Sequence, residues 1–206
     1  FGTIQYHPSL LPEHRGPSSI NWPIIQGKSK TGLTVFWPDK GLDTGPILLQ
    51  KEFEITKTDT LGSVYFGKLY PAGVEAMVEA VEMVKNGTAP KIEQDHSKAT
   101  YEGWCRSSDV MIDWNNPGVE IYNLIRGSDP SPGANTLWNQ KSIYLFSTSF
   151  ESSNHDKPSG TVTKISDESF SLSVSGGIIT IGRVKVDREA KIMAADFVKS
   201  HKLRSL

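Results

Sequence analysis

Cysteine is nearly missing from this chain. Cys105 stands alone among 206 residues, which excludes an internal disulfide framework and fits a reducing compartment. No apolar run approaches the roughly 20 residues that a membrane-spanning helix needs, so a membrane partner is not expected. The formal net charge is -1, and no strongly acidic or basic partner is demanded. The chain opens on Phe1, with neither Met nor a charged-then-apolar leader. The expectation is therefore a piece of a longer cytoplasmic protein, not a signal-bearing precursor. Four motif classes are missing as well. There is no serine nucleophile elbow, no metal-type His or Cys cluster, no phosphate loop and no dinucleotide glycine fingerprint, so no metal site is expected. What remains is a soluble chain of one or two domains.

The informative stretch runs from Gln5 to Pro46. It opens with Gln5-Tyr6-His7-Pro8-Ser9-Leu10-Leu11-Pro12 and closes with Gly41-Leu42-Asp43-Thr44-Gly45-Pro46. Gly2 to Tyr6 reads as a short buried strand that delivers His7 to its end, and Gly32 to Trp37 as a second strand. Between them, Pro17 and Ser18 or Ser19 open a helix carrying Ile20, Ile24 and Ile25, which Pro23 limits or kinks. Pro46 to Ile55 reads as a third strand. In an open α/β sheet ligands bind at the carboxyl ends of strands, so His7 and Asp43 are expected to share one crevice there.

After Asp59, which can cap a helix, apolar residues recur at three and four from Leu61 to Val84, with Pro71 expected to bend or divide the helix. Asn86-Gly87 is a left-handed stop, and the polar run from Thr88 to Ala99 reads as a linker. Asn86-Gly87-Thr88 also matches a glycosylation sequon, but the helix cap is the better reading. Past Tyr101 the texture changes to one helix, Val119 to Arg126, and short strands at Ser142 to Ser147, Gly160 to Ile165, Ser169 to Val174 and Ile178 to Val186. That spacing suggests a small β-barrel, with Ala194 to His201 as a closing helix.

An imidazole beside a carboxylate can polarise a carbonyl, stabilise an oxyanion and orient a water or amine nucleophile. Gln5, two residues before His7 on the same strand face, could add an amide donor. Each residue also has a plainer reading: His7 as a structural histidine, and Asp43 before Thr-Gly as a turn residue. Trp22, Phe36 and Trp37 read as core aromatics. His14-Arg15 could bind an anion, with an exposed loop charge the safer default. His96, His155 and His201 receive no role.

The pieces His7-x-Ser9-Leu10-Leu11-Pro12, Arg15-Gly16 and Gly41-Leu42-Asp43-Thr44-Gly45, with the separation of His7 from Asp43, resemble the folate-dependent formyltransferase family. Ile20-Asn21-Trp22, Leu48-Leu49-Gln50-Lys51-Glu52, Thr100-Tyr101-Glu102-Gly103 and Ile125-Arg126-Gly127 resemble its branch of 10-formyltetrahydrofolate dehydrogenase hydrolase domains. The resemblance implies an α/β fold: the C-terminal part of a doubly wound, Rossmann-like domain over residues 1–87, a linker over 88–103, and a small open, OB-like β-barrel over 104–206. It implies 10-formyltetrahydrofolate as formyl donor. His7 would polarise the formyl oxygen, Asp43 would hold His7 and position water or an amine, and Pro38, Asp39, Lys40, Gly41 and Leu42 would line the pterin pocket.

The transferases carry Asn where this chain has Gln5, one methylene longer. The family's first strands and glycine-rich turn lie upstream of Phe1, which implies an exposed strand edge and an inactive isolated fragment. NADP would enter only with a downstream dehydrogenase domain, alongside a covalently linked carrier domain. From Trp104 to Leu206, twelve Lys and Arg face eleven Asp and Glu, which argues against tRNA as partner and ranks methionyl-tRNA formyltransferase second. A sugar-nucleotide formyltransferase and a non-catalytic folate-binding module are the further alternatives.

Overall fold

The run from Lys30 to Phe36 forms the middle strand of the first sheet, buried from Thr31 onward. A computed structural model describes residues 2–206 and separates them into two units, Phe1–Ile24 with Lys28–Cys105, and Ile25–Gly27 with Arg106–Leu206. In the first unit β1 (Gln5–His7), β2 (Lys30–Phe36) and β3 (Ile47–Glu54) lie in that order, and both pairings are antiparallel. The register sets His7 opposite Thr34 and Gln5 opposite Phe36. The carboxyl ends of β1 and β2 therefore point opposite ways along the sheet, unlike the adjacent ends expected from the sequence. Only a loop that folds back can bring Asp43 to His7.

The first helix is short, α1 (Asn21–Ile25). Beyond β3 the chain forms one long helical rod: α2 (Leu61–Val64), a π turn (Tyr65–Leu69) and α3 (Tyr70–Lys85). Pro71 cannot supply a backbone N–H and its ring crowds the carbonyl of Gly67. The rod absorbs this as the wider π turn, in which the Tyr70 N–H reaches back to the Tyr65 carbonyl, and it is neither broken nor divided. Thr60, not Asp59, is its N-cap, in a reciprocal capping box with Ser63. Asp59 instead accepts hydrogen bonds from the Thr56 N–H (2.7 Å) and Ser63 Oγ (2.7 Å) and an ion pair from Lys68 Nζ (2.6 Å). Burial pushes its carboxyl up, but Lys68, Ser63 and Thr56 outweigh that and hold it at about 2. Leu33, Val35, Leu48, Val64, Leu69, Ala76 and Ala80 form the core between sheet and rod.

The polar run after Gly87 is fastened to this unit. Ile92 exchanges both backbone hydrogen bonds with Ile47, and Arg15 bridges Tyr101. In the second unit the sheet order is β4 (Ala134–Trp138), β5 (Lys141–Ser152), β8 (Gly177–Val186), β7 (Phe170–Val174), β6 (Val162–Ile165), with β9 (Ile192–Met193) on β8. Among the described residues no ladder joins β4 to β6, so the sheet stays open. Strand β4 has no counterpart in the sequence-based expectation. Helices α4 (Gly118–Gly127) and α5 (Ala194–His201) bury Ile121, Ile125, Phe197 and Val198.

Candidate active site

His7 ends β1, and Pro8, lacking an N–H, stops the ladder there. The loop that follows is clamped to the sheet through one buried hydroxyl. Thr34 Oγ1 donates to the Ser9 carbonyl (2.7 Å) and accepts from the Leu11 N–H (3.1 Å) and Gln50 Nε2 (2.9 Å). Gln50 also donates to the Leu11 carbonyl at 2.8 Å. One donor and two acceptor positions are thereby filled, as a buried hydroxyl requires.

The His7 side chain is 6% exposed. Its Nε2 lies 2.8 Å from the carbonyl oxygen of His14, which can only accept, so the proton of the neutral ring sits on Nε2. Nδ1 then carries a lone pair and faces Asp43 Oδ2 across 3.6 Å. Burial lowers the His7 pKa below its ordinary value, and the opposing effects of the His14 carbonyl and Asp43 do not offset it. At neutral pH the site therefore holds two acceptors side by side, an imidazole nitrogen and a carboxylate oxygen, separated by more than a hydrogen bond.

Asp43 reaches this position from a loop bent back on itself. The Trp37 N–H donates to the Pro46 carbonyl at 2.9 Å and closes the loop at its base, where a Cβ on Gly45 would collide with the Trp37 carbonyl. Asp43 is left-handed (φ +55°), a conformation Asp and Asn tolerate better than most residues. Its backbone carbonyl accepts from Gln94 Nε2 (2.9 Å), which also donates to Gly45 (2.7 Å), and its Oδ2 accepts the Gly16 N–H at 2.9 Å. Gly16 has φ +103°, and a Cβ there would stand 2.6 Å from the Glu102 carbonyl, so only glycine presents this N–H to Asp43.

His7 and Asp43 are thus brought together, and Gln5 lies exposed on the same strand, opposite Phe36. Pro38 to Leu42 form the outer arm of the Asp43 loop, and all five are exposed. Asp39 Oδ1 accepts from Thr44 Oγ1 (2.5 Å) and the Gly41 N–H (2.9 Å), and these bonds, Thr44 first, lower the pKa of its carboxyl.

His14 differs from its expected place as an exposed loop charge. It is buried, with φ +56°, and its Nδ1 lies 3.2 Å from both Glu102 oxygens. Its N–H donates to Thr100 Oγ1 at 2.8 Å, while Arg15 donates to Gln94 at 2.7 Å and lies 2.9 Å from His96 Nδ1. Gln94, Thr100 and Glu102 thus form a second layer behind the pair. Nothing in their local pattern marks them, because their partners lie about 50 to 90 positions earlier in the chain. Among the described residues no group of three or more His, Cys, Asp or Glu is placed to hold a metal, and no helix is long and apolar enough to cross a membrane.

Two family profiles match the chain, one described as Formyl transferase over residues 1–81 and one as Formyl transferase, C-terminal domain, over residues 105–202. A cytosolic 10-formyltetrahydrofolate dehydrogenase of Xenopus laevis is 42% identical over 182 residues, covering 88% of this chain and 20% of that protein. A methionyl-tRNA formyltransferase of Syntrophus aciditrophicus is 34% identical over 203 residues, covering 98% and 64%. Among solved structures, HypX from Aquifex aeolicus in complex with tetrahydrofolic acid superimposes with a TM-score of 0.79 at 22% identity, over 96% of this chain and 35% of that one. The chain spans about a fifth of the length of the dehydrogenase it matches.

Proposed function

Since the chain belongs to the formyl transferase family, we propose that it releases the formyl group of 10-formyltetrahydrofolate to water, as the hydrolase part of a 10-formyltetrahydrofolate dehydrogenase. The observation that carries this reading is the pair of acceptors formed by His7 Nδ1 and Asp43 Oδ2. A water set between them donates one hydrogen to each and turns a lone pair toward the formyl carbon. Attack forms the C–O bond and moves one water proton to the pair. The tetrahedral intermediate then breaks its bond to the folate N10, which takes up the proton, leaving tetrahydrofolate and formic acid, which loses its remaining proton to solvent as formate.

In this reading His7 begins as a proton acceptor and can donate to the formyl oxygen only after Nδ1 has been protonated. Asp43 positions the nucleophile and balances the imidazolium that forms. Gln5, at the exposed rim, offers an amide donor to the substrate, and the arm from Pro38 to Leu42 packs against the pterin. The antiparallel strands and the back-folded loop support these roles by fixing both reacting side chains on one unit, not on two.

An amine nucleophile fits the same pair, and the identity to a methionyl-tRNA formyltransferase over nearly the whole chain favours this as the second reading. The near-balance of charge from Trp104 to Leu206 favours water over a tRNA acceptor. As a finer reading, the domain acts in the cytoplasm and is covalently joined to a carrier and an NADP-dependent aldehyde dehydrogenase, in keeping with the name and length of its Xenopus relative. The test is to supply the full-length gene product with 10-formyltetrahydrofolate, alone and with methionyl-tRNA or a nucleotide-linked amino sugar. Formate at an unchanged rate in every mixture is expected. Formylated tRNA or sugar in place of formate would transfer the assignment to an amine acceptor.

A further inference from the structure

Behind His7 lies a second buried imidazole paired with a carboxylate, to which neither the family motif nor the reaction assigns a part. We propose that His14 and Glu102 are a positioning pair that fixes the tautomer of His7 and thereby keeps its Nδ1 free for the nucleophile. The proposal rests on the reading of His7 as the proton acceptor, and its structural half can be tested apart from that reading.

The contact with His7 comes from the backbone of His14. A peptide carbonyl oxygen 2.8 Å from Nε2 requires a hydrogen there, and it disfavours the other neutral tautomer because two lone pairs would face each other. The carbonyl is aimed by a left-handed residue, φ +56°, which is not histidine's preferred conformation and persists only where surrounding bonds hold it. Those bonds all come from one distant segment. Glu102 receives Nδ1–H of His14 on both oxygens at 3.2 Å, Thr100 Oγ1 takes the His14 N–H at 2.8 Å, and the Thr100 carbonyl takes the Arg15 N–H at 3.0 Å. The His14 side chain is 7% exposed and that of Glu102 17%, so water competes weakly with this pair.

The same segment holds the other member of the reacting pair. The Arg15 carbonyl accepts the Glu102 N–H at 3.3 Å, and the next residue, Gly16, sends its N–H to Asp43. Residues 14–16 therefore hold His7 with a carbonyl and Asp43 with an N–H, and residues 100–102 hold residues 14–16. The charged and titratable groups facing His7 are Asp43 and His14, and Glu102 faces His14, with Arg15 and His96 one position further along. Loss of the Glu102 carboxylate frees the His14 ring and loosens the aim of the His14 carbonyl, the acceptor that distinguishes the two nitrogens of His7.

The experiment compares the full-length wild type with Glu102→Ala and Glu102→Gln. Magic-angle-spinning nitrogen-15 spectra of histidine-labelled protein, with His7 assigned by its loss in His7→Asn, report the tautomer directly. The wild type is expected to show one neutral form with the proton on Nε2. Glu102→Ala should show both neutral forms, with kcat for formate release lower by about 10- to 100-fold and KM within about twofold. Glu102→Gln, which keeps an acceptor oxygen for Nδ1–H, should restore the single tautomer and most of kcat. Should Glu102→Ala not fold, Thr100→Val removes only the hydroxyl that receives the His14 N–H and is read in the same way. A folded variant with the wild-type tautomer overturns the proposal. If the wild type releases no formate, the assigned reaction fails, yet the spectra still decide whether His14 and Glu102 set the ring.

Discussion

The carbonyl oxygen of His14 stands 2.8 Å from His7 Nε2, while the other nitrogen of His7 faces Asp43 across 3.6 Å. One side of the ring is anchored, and the other faces the carboxylate across more than a hydrogen bond. Under the proposed reaction, this division within one imidazole lets a histidine at the end of a three-residue strand act although it is almost wholly buried.

Burial lowers the pKa of His7, so the acceptor form of the ring should persist below pH 6.5, the ordinary imidazole value. A base must be neutral to act, so kcat for formate release should hold on the alkaline side and fall as pH drops through this depressed pKa. The midpoint of the acid limb is expected below pH 6.5. A rate that instead rises on acidification would assign the imidazolium as the acting form.

Gly16 tests the backbone support of Asp43. Gly16→Ala places a Cβ 2.6 Å from the Glu102 carbonyl at φ +103°, so the loop must shift. Unfolding in urea should show a loss of about 1–3 kcal/mol. Formate release should fall by at least about tenfold as the N–H leaves Asp43. Wild-type stability and rate together would show that the close approach is not needed.

Asp59 tests the packing of the long helical rod. Its folded pKa is depressed to about 2 from 3.8, so its stabilisation is fully present above the unfolded value and is lost as pH falls through the folded one. Asp59→Asn should therefore cost about 2 kcal/mol at pH 7. The gap between the two proteins should narrow between about pH 4 and pH 2. A constant gap over that range would place the effect in packing instead of charge.

That His7 and Asp43 would share one place was legible because the motifs around them are local. His7 precedes Pro8 at the end of a strand and Asp43 lies between two glycines, and the strand and helix periods were plain around them. The manner of their meeting was not legible, because strand direction leaves no trace in a pattern of alternating burial. That is why carboxyl ends expected side by side proved antiparallel, with a folded loop closing the distance. His14 read as an exposed charge because its partner lies at Glu102. The stretch after Gly87 read as a linker because side-chain bonds from Gln94 and Thr100 to distant backbone impose no period on the sequence. The π turn before Pro71 and the cap at Thr60 in place of Asp59 lie within the resolution of local rules, which locate a breaker or a cap-former but not the geometry chosen around it.

The most direct test of the His7–Asp43 pair is single-turnover formate release from 10-formyltetrahydrofolate by full-length wild type, His7→Asn and Asp43→Asn. Asparagine tolerates the left-handed conformation of position 43, so Asp43→Asn removes the charge while keeping the loop. Both variants should lose about 10²- to 10⁴-fold in rate while still binding folate. Near-wild-type release by either variant would contradict the assignment of the reaction to this pair.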